Sequence, residues 1–135
     1  MRDRQLVVAL AIAPVVWLCA AGLSPDAAPA ALSVERLIWL ALVLSTSEEV
    51  IFRGALQSRL LATAWGPRSL GPVSRANLAT SVAFAALHLI AHPPAHSAMV
   101  LLPSLVFGHF RERRGSLLVP IGLHAFYNAG YLLLV

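Results

Sequence analysis

Three charged residues, Glu48, Glu49 and Arg53, stand in the middle of an otherwise apolar stretch from Val34 to Leu61. At the centre of a membrane helix each such side chain costs roughly 2.5–3.5 kcal/mol on insertion scales, so three together need partners or a function. Glu49 and Arg53 are four apart and share a helix face, with the acid first, the favourable order for a pair. That pairing uses one carboxylate. Glu48 lies about 100° further round the helix and is the surplus acid, able to exchange protons near neutral pH as a general base must. The plainer reading of the same residues is an ion-pair cluster that fixes helix packing.

Further polar side chains fall in later apolar stretches. His88 follows Phe84 by one turn on the same helix face. His124 and Asn128 are also four apart and project into one space; as small polar groups they serve equally well as glue between helices. Together these residues supply an acid, a base and two hydrogen-bond donors. His88, His92 and His96 resemble a metal-ligand stripe, but Pro93 and Pro94 interrupt the helix that would align them, so the stripe is expected to be lost. His92, His96 and His109 then read as loop or interface residues. Ser45 and Ser47 lack a GxSxG context and are expected to bond helix carbonyls or line a cavity. Asp3 and Asp26 are both peripheral, which excludes an aspartyl dyad.

The elements that must position these groups are apolar helices. Of 135 residues 59% are hydrophobic and only 12% charged, where a soluble domain carries about a quarter charged. The fold class expected is an all-α polytopic membrane protein, one domain over residues 1–135, with five transmembrane helices. They run about Gln5–Leu23, Val34–Leu61, Ala76–Ala91, Ser97–Phe110 and Ser116–Val135, with loops at Ser24–Pro29 and Trp65–Arg75 marked by their turn residues. All ten basic residues are Arg. They crowd alternate connections: Arg2 and Arg4, then Arg59, Arg68 and Arg75, then Arg111, Arg113 and Arg114. The positive-inside rule places that side, and the N-terminus, in the cytoplasm. The first segment also resembles a signal peptide cleavable after Ala21, but a retained helix is expected. The lone Cys19 reads as an ordinary small residue.

In this order and on successive segments, Glu48-Glu49-Val50-Ile51-Phe52-Arg53 matches EExxxR, Phe84-Ala85-Ala86-Leu87-His88 matches FxxxH, and His124-Ala125-Phe126-Tyr127-Asn128 matches HxxxN. This set resembles the CPBP family of CAAX proteases and bacteriocin-processing enzymes, with residues 34–135 as the motif-bearing catalytic core. The resemblance implies an intramembrane endopeptidase in which Glu48 and His88 activate water, His124 and Asn128 stabilise the oxyanion, and Glu49 and Arg53 form a supporting pair. It also resembles small bacterial members paired with C-terminal protein-sorting signals. Typical members have more helices before the first motif, so a partner or homo-oligomer would complete the wall of this short chain.

The expected reaction is hydrolysis in or near the membrane anchor or C-terminal segment of a membrane-anchored protein substrate. The expected location is a bacterial inner membrane, with the lipid bilayer as surroundings and no role for nucleic acid. No cofactor is expected: HExxH is absent, and Zn²⁺ on His88, His124 and the glutamates is an alternative that is not favoured. The rival readings are a catalytically silent membrane scaffold or immunity factor and, more remotely, an ion carrier, for which the first and fourth segments offer almost no ionisable groups.

Overall fold

The computed structural model describes residues 3–22 and 33–134. Arg2, Val135 and the expected loop at Ser24–Pro29, with Asp26, lie outside the described residues. Helix α1 spans Arg4–Gly22. Helix α2 spans residues 34–61 without a break in helical backbone. Helices α3 (Arg75–His88), α4 (Pro94–Arg114) and α5 (Leu118–Leu134) follow. By length and composition α1 is the one described helix long and apolar enough to cross a membrane.

The local sequence explains these boundaries. Ser33 and Ser74 cap α2 and α3 by accepting the backbone N–H groups of Arg36 (3.1 Å) and Asn77 (2.9 Å), which satisfies donors left free at a helix start. Pro94 opens α4, where a missing N–H is harmless, and Gly115 ends it in the left-handed region at φ 63°. The fourth helix is therefore longer than the Ser97–Phe110 expected, because Arg111, Arg113 and Arg114 belong to its last turn instead of a loop. The all-helical expectation also misses a small antiparallel hairpin, β1 (Ser69–Leu70) with β2 (Val73–Ser74). Its two-residue turn begins at Gly71, whose φ of 63° a side chain would disfavour.

Helix α2 widens twice, over Ile38–Leu44 and Val50–Gln57, where backbone hydrogen bonds take the i→i+5 spacing. Serine hydroxyls help to satisfy carbonyls in these stretches: Ser45 Oγ donates to Leu40 O (3.4 Å) and Ser58 Oγ to Arg53 O (2.9 Å). Between them the Ser45–Glu49 turn keeps ordinary α geometry and carries both acids.

The apolar core joins α1, α4 and α5 through Ala9, Ala13, Phe107, Phe110, Leu123 and Tyr127. Helix α1 is thus built into the bundle. Trp17 Nε1 donates to Tyr127 O (2.9 Å) and Tyr127 Oη to Ala9 O (2.7 Å). At the other end of α1, Asp3 pairs with Arg114 and with Arg113 (3.2 Å), and His109 Nε2 meets Gln5 Oε1 at 2.9 Å. His109 is therefore an interface residue, as expected. Desolvation pushes the Asp3 carboxyl up, but the Arg114 hydrogen bond and the Arg113 charge outweigh it and hold the group below its usual range.

Helices α3 and α4 approach closely where Gly108 leaves room for the Asn77 amide, which donates to Leu105 O at 2.9 Å. Beside it, Glu112 Oε1 accepts from Gln57 Nε2 (2.7 Å) and Ser74 Oγ (2.6 Å), tying α2 to the start of α3.

Gly130 lies under the Trp17 ring, and a Cβ there would collide with it. Gly130→Leu is expected to destabilise the protein by about 1–3 kcal/mol, the usual range for overpacking. A thermal melt in detergent checks this; an unchanged midpoint would refute the packing of α1 on α5.

Candidate active site

Glu49 and Arg53 are both fully buried, and the one-turn spacing read from the sequence brings Arg53 Nη1 within 3.0 Å of Glu49 Oε1. The pair draws on α3, α4 and α5. From α5, His124 Nδ1 lies 2.8 Å from the same Glu49 oxygen. From α4, the Ser104 carbonyl (3.0 Å) and hydroxyl (2.6 Å) accept from Arg53 Nη2. From α3, the Phe84 ring lies beneath the guanidinium at 4.8 Å, with Phe107 of α4 at 5.6 Å. Flat aromatic faces suit a planar delocalised cation that has left water.

Glu48 points elsewhere. It is half-buried and lines a cavity of about 300 Å³ together with His88, His124 and Asn128. Its Oε2 is 3.5 Å from His124 Nε2, so the His124 ring spans the two glutamates. Phe107 stacks on that ring at 5.0 Å and Phe84 meets it edge-on at 5.7 Å. Asn128 Nδ2 donates to Ser45 Oγ (2.9 Å) and more weakly to Leu40 O (3.3 Å). Ser45 and Ser47 do bond helix carbonyls, and Ser45 also receives Asn128.

His88 Nδ1 lies 2.9 Å from Phe84 O. A carbonyl only accepts, so Nδ1 carries a hydrogen, and in the neutral ring Nε2 keeps its lone pair. His88 and Glu48 share the cavity lining without a direct hydrogen bond. All six residues expected at the site thus lie around one region where α2, α3 and α5 meet. Four of them, Glu49, Arg53, His124 and Asn128, are joined there to partners on other helices or to each other.

One expectation fails. The prolines do end the helix after His88, yet His88, His92 and His96 stay in register. His92 N still donates to His88 O at 2.9 Å, which keeps one more turn, and α4 starts at once with His96 in its first turn. The rings of His88 and His92 stack at 5.8 Å and 23°, and those of His92 and His96 at 4.5 Å and 20°. Among the described residues no three or more His, Cys, Asp or Glu side chains form a metal-holding group.

Sequence reasoning missed Ser104 and Phe107, which seat Arg53 and His124. Their only signal is a spacing of three on one face of α4. Arg53→Met would leave Glu49 without its cation and is expected to cost about 3–5 kcal/mol. Ser104→Ala should cost about 1–3 kcal/mol. Melting of the two purified variants measures both, and a wild-type midpoint for Arg53→Met would refute the ion pair.

Residues 30–130 match the family model described as type II CAAX prenyl endopeptidase Rce1-like. No curated protein and no solved structure matches. The match takes in all six site residues and all three motifs, and a family so defined consists of membrane-integral CAAX-type proteases. The chain belongs to the Rce1-like family of type II CAAX prenyl endopeptidases.

Proposed function

We propose that this protein hydrolyses a peptide bond of a membrane-anchored polypeptide with a water activated by Glu48 and His88. The observation that carries the reading is the unequal placement of two adjacent acids. Glu49 is sealed and committed to Arg53 and His124, whereas Glu48 opens into the cavity. A reacting water needs a base it can reach, and only the second acid offers one.

In this reading Glu48 takes a proton from the water while His88 Nε2, with its free lone pair, accepts the other hydrogen and orients it. The hydroxyl attacks the carbonyl carbon of the substrate. The oxyanion so formed is met by two donors. His124 Nε2 stands beside Glu48, and its Nδ1 is held by Glu49; a ring protonated at both nitrogens donates to the oxyanion. The weaker Asn128 bond to Leu40 O frees one amide hydrogen for the same oxygen. Preorganised donors of this kind contribute about 3–4 kcal/mol each in a site shielded from water. Glu48 then returns its proton to the departing nitrogen, and the C–N bond breaks to give an acid and an amine. No step requires a metal.

A bilayer setting is supported by the apolar outer surface, where Val8, Val15 and Leu18 of α1 and Ile38, Trp39 and Ile51 of α2 are all more than half exposed. Such faces suit lipid. The Arg distribution orients the N-terminus toward the cytoplasm, and a bacterial inner membrane is the setting we infer. Bonds in or near the anchor or C-terminal segment of the substrate are those within reach.

Glu48→Gln removes the base and keeps the shape. It is expected to lower cleavage of a membrane-anchored substrate by at least about 100-fold, the lower range of general-base effects, while the protein still inserts and melts normally. Turnover retained by Glu48→Gln would sink the mechanism, and loss of fold instead of activity would favour a silent scaffold. Chelator treatment should leave activity in place; loss restored by Zn²⁺ would mean a metal-dependent route.

A further inference from the structure

The cavity extends well beyond the acids. Arg36, Leu40, Leu44 and Glu48 all line it at four-residue spacing along α2. At 1.5 Å per residue, and less where the helix widens, the groove follows at most roughly 18 Å of that helix. Leu40 and Leu44, with Met99 and Val100 of α4, give it an apolar middle. At the end away from Glu48 stand Arg36, His92, His96 and Tyr131, the last edge-on to His96 at 5.8 Å.

The two ends differ in charge. Among the described residues Glu48 is the one carboxylate in the lining. The far end holds a permanent cation and two imidazoles, and among the described residues no carboxylate pairs with Arg36. The ring centres step from His88 to His92 to His96 by 5.8 and 4.5 Å. An extended chain advances roughly 3.3 Å per residue, so His96 is about three residues from a bond at His88, and Arg36 about five from one at Glu48.

We propose that Arg36 and the stacked His92–His96 pair form a carboxylate subsite, which receives an acidic group of the polypeptide substrate three to five residues from the scissile bond. This rests on reading the groove as the active site of an endopeptidase. Arg36 stays charged at every relevant pH. An imidazole donates an N–H in either protonation state. The apolar middle accepts many side chains, so the charged end supplies register. It fixes which bond lies at Glu48.

The test reads binding, not turnover. Short dye-labelled apolar peptides, C-terminally amidated, would carry one Glu or the matching Gln and be titrated against detergent-solubilised Glu48→Gln protein by fluorescence anisotropy. The Glu peptide should bind about tenfold more tightly, the scale of one charge-assisted hydrogen bond. Arg36→Gln and His96→Phe, each confirmed monodisperse, should shrink that preference below twofold. A Gln peptide with a free C-terminus that binds as well as the Glu peptide would assign the carboxylate to the chain end; an amidated Glu peptide alone binding tightly would assign it to a side chain. Peptides that bind alike or not at all, or a preference that survives both substitutions, would overturn the subsite. That result would leave hydrolysis by Glu48 standing. Cleavage retained by Glu48→Gln would remove Glu48 as the base without touching the binding data.

Discussion

Glu49 has no contact with solvent, and a carboxylate so placed must be neutralised by groups brought to it. Arg53 comes from its own helix, one turn on. The rest must come from elsewhere: His124 from α5, Ser104 from α4 through Arg53, and Phe84 from α3 beneath the guanidinium. The desolvation cost of one acid thereby fixes four helices against one another. Glu48 is the next residue, and its place at the cavity wall follows from the anchoring of its neighbour.

The remaining contacts hold this centre in place from both sides. Small residues let backbones approach where polar side chains then bond, as Gly108 does for Asn77 and Gly130 for Trp17. Such contacts matter in a setting where apolar surface alone gives little drive for helices to associate. Helix α1 carries no motif, yet its hydrogen bonds to Tyr127 steady the segment that presents His124 and Asn128. The two acids thus sit on a rigid framework, while the groove along α2 keeps an apolar wall with charge at its two ends.

The bundle was largely legible in the sequence. The five segments correspond to five helices, because apolar length and the turn residues of the Trp65–Arg75 loop are local properties. The Glu49–Arg53 pair was legible for the same reason, since a four-residue spacing on a helix is a short-range relation. The histidine row was misread. Pro93 and Pro94 do break the helix, but a break says nothing of how the chain resumes, and here it resumes in register. The small hairpin escaped notice because two-residue strands leave no periodic trace.

Residue types and spacings alone determined that the chain is apolar and helical, that it carries three motifs, and that one of two adjacent acids is surplus. Those are properties of composition and of a fixed helical repeat. Only the tertiary structure decided that His124 spans both glutamates, that Ser104 and Phe107 seat Arg53 and His124, and that Arg36 shares a groove with Glu48. Each depends on which faces of separate helices meet, and no spacing along a single helix encodes that.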